Sequence, residues 1–170
     1  GVAMPSRYSS DHSLADAKAL ADGLGIRYSI ISIEDMFQST LANIATRLTG
    51  PGFRVAEEKL QSRLRGMTLR ALSNASGDLV LTTGKKSELS VGYCTLYGDM
   101  CGGLSVIGDV PKTMVYELCR YLNETAGRPI IPENTLTKAP SAELRPDQKD
   151  SDSLPPYDVL DPIIRAYTEE

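Results

Sequence analysis

The stretch LVLTTGKKSELSVGYCTLYGDMCGG, residues 79–103, decides how this chain is read. It opens on an apolar run, reaches two threonines and turns through Gly84, Lys85, Lys86 and Ser87. A glycine followed by lysine and a hydroxyl suggests a phosphate-binding P-loop, whose pattern is G-x-x-x-x-G-K-[S/T]. Here Lys85 is followed by Lys86, and the preceding glycine, Gly77, lies too far back. The P-loop register fails. The form of the stretch is still that of a ligand site: a strand ending at Thr82 and Thr83, then a turn, then a helix beginning near Lys86. Ligands of open parallel sheets bind at the carboxyl ends of strands, where turns expose hydroxyls and backbone N–H groups. Glu88 falls in the first turn of that helix, and Asp99 falls in the glycine-rich loop YGDMCGG. Two carboxylates on facing loops can hold Mg2+ together with substrate phosphates, because Mg2+ takes few protein ligands. Equally, Glu88 can be a helix N-terminal acid and Asp99 a turn former, and spacing alone favours that structural reading.

Outward from this stretch the chain alternates between strand and helix patterns. VAMP, 2–5, reads as the end of a strand. SSDHSLADAKALADGLG, 9–25, reads as a helix capped by Ser or Asp and closed by Gly25, with Leu14, Ala17, Ala21 and Leu24 on one stripe. IRYSIISI, 26–33, is β-branched and reads as a strand, followed by a helix over 34–48 that TGPG ends. A longer helix over 55–77 carries Leu60, Leu64, Met67 and Leu72 near helical spacing. DLVLTT, 78–83, reads as a buried strand, and KTMVYELCRYLNETAG, 112–127, as a further helix. This order predicts an α/β domain with a parallel sheet. Residues 128–156 are rich in proline and charge and read as one long loop. The last stretch, YDVLDPIIRAYTEE, reads as a short helix interrupted near Pro162.

The 170 residues suffice for one domain with a core. A net charge of -4 leaves no basic footprint, so nucleic acid is not an expected partner. No apolar run reaches the length of a membrane-spanning helix, no secretory leader is recognised, and a membrane is not expected either. Cys94, Cys101 and Cys119 form no CxxC pair and read as small buried residues, which points to a cytoplasmic protein. His12 is the only histidine, and no oriented partner for it is visible; it reads as a first-turn helix residue. Tyr93 and Tyr97 read as core in preference to a base-stacking pair. Of Arg63 and Arg65, two apart on a helix, one can clamp an anion while the other is solvated. Lys112 sits at a helix start, where a cation is unhelpful to the dipole; a role toward phosphate is more plausible there than elsewhere.

MPSRYSSDHS, RLRGMTLRALSN, LVLTTGKKSELSVGYCTLYGDMCGG, VIGDVPKT and KAPSAELRPDQKDSDSLPPYDVLD together resemble successive blocks of NAD synthetase, in order and over nearly the whole chain. They look most like the synthetase domain of the glutamine-dependent form. The resemblance implies a Rossmann-like adenine nucleotide α-hydrolase (ATP-pyrophosphatase) fold, with a parallel sheet and helices on both faces. It implies ATP-dependent amidation of deamido-NAD to NAD through an acyl-adenylate, with ammonia supplied from glutamine by a separate glutaminase domain. It implies ATP and Mg2+ as cofactors, and a homodimer or larger homo-oligomer to which the RLRGMTLRALSN helix contributes.

By the same resemblance, Glu88 and Asp99 are the Mg2+-binding acids, and Asp99 and Lys112 are the catalytic pair. Lys112 contacts the ATP phosphates, Thr83 and Ser141 are hydroxyls of the ATP site, and Met4 lies against the adenine. Arg63 and Lys59 stand at the deamido-NAD site. The family's Ser-Gly-Gly-x-Asp-Ser loop is expected upstream of VAMP, so the chain reads as a fragment that lacks its first strand and is inactive alone. Lys59 and Lys85 stand where asparagine is expected. The competing reading is a non-catalytic nucleotide-binding or interaction module of the same fold. A sister enzyme acting on a different carboxylate is a third.

Overall fold

Ser10 opens the first helix as its side chain predicts: its hydroxyl accepts a hydrogen bond from the Ser13 N–H, and Gly25 ends the helix with a left-handed φ of 64°. The computed structural model describes residues 1–169. In chain order the elements are β1 (Val2–Ala3), α1 (Asp11–Leu24), β2 (Ser29–Ile30), α2 (Glu34–Ile44), α3 (Phe53–Ser76), β3 (Leu81–Thr82), α4 (Lys86–Ser90), β4 (Leu104–Ser105), α5 (Lys112–Ala126), α6 (Glu133–Thr137) and α7 (Tyr157–Glu169). Short 3-10 turns follow α2, at Ala45–Arg47, and precede α7, at Asp150–Asp152.

The chain divides into two compact units. The first is Gly1–Ile31 with Val110–Glu170, and the second is Ser32–Asp109. In the first, β1 and β2 pair in parallel with Val2 opposite Ser29. Helices α1 and α5 pack on α6, and α5 packs on α7. Ala21, Ile131, Leu160 and Ile164 are buried in it. In the second, β3 and β4 pair in parallel with Leu81 opposite Leu104, and α2 packs on α3. Ile33 and Phe37 are wholly buried there, with Leu64 and Val80. Parallel pairs in both units, each joined through helices, make this an α/β fold, as the alternation predicts.

Several expectations are corrected. The strands are short, and DLVLTT buries only one face: Val80 and Thr82 are covered while Leu79 and Leu81 are exposed. The α3 stripe is displaced. Gln61, Ser62, Leu64 and Gly66 are buried, whereas Met67 and Leu72 are exposed, because the helix turns its small polar face inward. Residues 128–156 are not one loop. Asn123 organises their start, accepting from the Ile130 and Ile131 N–H groups at 2.9 and 2.8 Å and donating to the Ile131 carbonyl at 2.9 Å. The terminal helix runs through Pro162 without a break. Pro162 cannot donate to the Asp158 carbonyl, and both residues are exposed, on the side of the helix that solvent reaches.

Candidate functional site

One face of α3 builds the first half of the site. Lys59, Ser62, Arg63 and Gly66 follow helical spacing and so share that face. Each meets the loop 94–99. The Lys59 ammonium donates to the Cys94 carbonyl at 2.6 Å, and Arg63 Nε donates to the Leu96 carbonyl at 3.3 Å. Asp99 Oδ1 accepts from the Ser62 hydroxyl at 3.2 Å and from the Thr95 N–H at 2.7 Å. A methyl at Gly66 would overlap the Tyr97 carbonyl, and a methyl at Gly98 would overlap the Ser62 hydroxyl. These glycines allow the loop backbone to lie directly on the helix. Gly102 makes the next close approach: its N–H donates to Thr82 Oγ1 at 2.9 Å, bringing the loop onto β3. Tyr97 is therefore not core. Its φ is 63°, and its side chain is 73% exposed at the loop's apex.

Glu88 belongs to α4. Its Oε2 accepts from the Lys85 N–H at 3.0 Å, which caps the helix, and Lys85 Nζ lies 3.5 Å from Oε1. The same ammonium donates to the Thr83 carbonyl at 3.2 Å. The Cys94 thiol feels the charges of Asp99, Lys59 and Glu88. Burial pushes that thiol above its ordinary value of 9.0, Asp99 raises it further, Lys59 opposes them, and Glu88 adds a smaller upward push. Cys94 thus stays a thiol at neutral pH and is a poor nucleophile. The three cysteines are half-buried, not core.

The other candidate residues lie in the first unit. Lys112 opens α5, with its ammonium 5.2 Å from the centre of the Tyr157 ring. The following Thr113 donates its N–H and its hydroxyl to Asp161 Oδ2, both at 2.8 Å, which supplies the cap that Pro111 lacks. Ser141 accepts from the Glu143 N–H at 3.1 Å. The Glu143 carboxylate sits at the start of α1, taking bonds from Ser10, Ser13 and Lys138. Burial pushes its pKa up, but the bond from Lys138 and those from Ser13 and Ser10 outweigh this and hold it below the ordinary value of 4.5. Met4 is half-buried just after β1. His12 lies exposed in the first turn of α1.

A family model described as NAD synthase matches residues 1–170. The chain belongs to the NAD synthase family. It is 55% identical over 170 residues to a glutamine-dependent NAD(+) synthetase of Synechocystis and 54% identical to one of Thermotoga maritima, covering all of this chain and 30% of each relative. It therefore spans about a third of the length of these relatives. Among solved structures, a glutamine-dependent NAD+ synthetase from Acinetobacter baumannii in complex with ADP superposes with a TM-score of 0.78 at 44% identity, over 98% of this chain and 29% of that one. An NMN synthetase from Francisella tularensis superposes with a TM-score of 0.85 at 30% identity, over 97% of this chain and 65% of that one.

For a member of the NAD synthase family, the structure sorts the sequence-predicted residues by unit. Lys59, Arg63, Thr83, Glu88 and Asp99 belong to Ser32–Asp109, and Met4, Lys112 and Ser141 to the other unit. Lys59 and Arg63 meet one loop, at the Cys94 and Leu96 carbonyls, and Asp99 is tied into the same loop through the Thr95 N–H. Among the described residues no cluster of three metal-ligating side chains occurs. The donor chemistry of the pair nevertheless suits Mg2+: two carboxylates, with Asp99 Oδ2 outside the bonds that hold Oδ1. Sequence reasoning missed Ser62, Tyr157, Asp161 and Glu143. Only the i,i+4 spacing of Tyr157 and Asp161 hinted that they share a helix face.

Proposed function

We propose that the protein containing this chain carries out ATP-dependent amidation of deamido-NAD to NAD. The observation that supports this best is the match of the family over all 170 residues. The nicotinic acid carboxylate attacks the α-phosphorus of ATP, an O–P bond forms, and pyrophosphate leaves. Ammonia then attacks the activated carbonyl carbon, loses a proton, and AMP departs. A free carboxylate is a poor electrophile, so adenylation is what makes the second step possible.

In this reading Lys112 neutralises ATP phosphate charge. Thr83 and Ser141 offer hydroxyls to the nucleotide, and Met4 gives an apolar surface to the adenine. Arg63 and Lys59 face the dinucleotide substrate. Glu88 and Asp99 hold Mg2+, which supplies further neutralisation of the phosphates when bound. Asp99 also orients the 94–99 loop, since its other oxygen is tied to α3. Glutamine is the ammonia source through a glutaminase domain, the assembly is a homodimer or larger homo-oligomer, and the compartment is the cytoplasm.

The likeness to an NMN synthetase favours one competing substrate, the corresponding mononucleotide. A single assay separates the two. The protein in its complete natural form is given ATP, Mg2+, glutamine or ammonia, and either acid, and the amide and AMP are quantified. NAD formed with equal AMP supports the proposal. Turnover of the mononucleotide alone, or AMP release without amide, overturns it.

A further inference from the structure

Lys112 is placed awkwardly by its own helix. It opens α5, where the dipole disfavours a cation, and Pro111 offers no side-chain cap. What compensates comes from α7. Tyr157 and Asp161 are one turn apart on that helix, so they share a face. Asp161, 5% exposed, fixes the backbone beside the lysine through its two bonds to Thr113. Tyr157 presents its ring to the ammonium at 5.2 Å, within the range of a cation–π contact. The ring is fixed in turn, because its hydroxyl donates to Asp150 Oδ2 at 2.7 Å. Asp150 is also 5% exposed, and its Oδ1 is buried with no hydrogen-bond partner. A buried carboxylate that accepts from the hydroxyl fixes the tyrosine at the edge of its ring.

We propose that Tyr157 and Asp161 are positioning residues for Lys112: the ring sets the ammonium, and the buried carboxylate sets the turn that carries it. The proposal rests on the assignment of Lys112 to the ATP phosphates. Flexible lysine side chains lose much freedom when held in one place. A lysine held in advance on an aromatic face binds phosphate without that loss.

The test uses the protein in its complete natural form, with ATP varied at saturating deamido-NAD and ammonia. Lys112→Ala, Tyr157→Leu, Tyr157→Phe and Asp161→Ala are compared, with thermal unfolding measured for each. Tyr157→Leu removes the ring face and is expected to raise KM for ATP by about three- to tenfold while kcat changes by less than about twofold. Tyr157→Phe keeps the face but loses the hydroxyl, so it should unfold at lower temperature and yet hold KM for ATP near the wild-type value. Asp161→Ala should raise KM for ATP in the same way as Tyr157→Leu. If Tyr157→Phe and Tyr157→Leu lose activity equally through kcat with KM unmoved, the tyrosine is merely structural and the proposal is wrong. Unchanged KM in Tyr157→Leu beside a raised KM in Lys112→Ala overturns the positioning role alone. Unchanged KM in Lys112→Ala overturns the phosphate assignment, and the positioning proposal with it.

Discussion

Glu143 shows how much one side chain can organise. Its carboxylate takes four donors: the Ser10 N–H, the Ser10 and Ser13 hydroxyls and the Lys138 ammonium. They hold its pKa below 4.5 despite burial, so in that range the unfolded chain binds more protons than the folded one. Its contribution to stability is therefore complete above the ordinary carboxylate range and is lost as pH falls through the folded value. Glu143→Gln should cost about 2 kcal/mol at neutral pH, and its urea midpoint should fall less steeply than the wild type's between about pH 5 and pH 3. Identical acid slopes would show that the carboxylate contributes nothing. At Asp150 the expectation differs. Tyr157→Phe removes the donor to a buried carboxylate whose other oxygen is already unpartnered, and should cost about 1–3 kcal/mol in a denaturant titration.

At the scale of elements, α3 is decided by contact and not by pattern. Its predicted apolar stripe faces outward in part, while Ser62 and Gly66 meet the loop that holds Asp99. Gly66→Ala tests this directly. Alanine improves helix propensity by about 1 kcal/mol, but its methyl meets the Tyr97 backbone, which cannot swing away as a side chain could. The overlap should win, with a net loss of about 2 kcal/mol in denaturant stability and displaced signals from residues 94–99. A gain in stability would mean that the loop does not lie on the helix. Helix ends were legible because caps are local: Ser10, Gly25, Gly77 and Gly127 do what their residue types allow. Strand lengths were not legible, since β4 exists only through pairing with β3.

At the scale of the whole molecule, α/β class follows from the alternation of periods, and both units pair their strands in parallel. All three cysteines are thiols. Denatured protein should titrate three thiols per chain, and the melting temperature should be the same with and without reductant. A melting temperature that drops with reductant would reveal a disulfide that this fold does not contain. No helix among the described residues is long and apolar enough to cross a membrane, as the hydropathy of the chain implies.

The sequence by itself determined the long helices, the α/β class and the failure of the P-loop reading, because each depends on neighbours within a few positions. It also carried the blocks by which the family is recognised. Only the tertiary structure decided that Asp99 is fastened to Ser62 and that Lys85 engages Glu88. It also decided that residues 128–156 are pinned by Asn123, Glu143 and Asp150, and that α7 carries the support for Lys112. Those facts join residues far apart in the chain or turn on side-chain direction. They arise when buried polar groups find partners, and no local pattern records which partner is found.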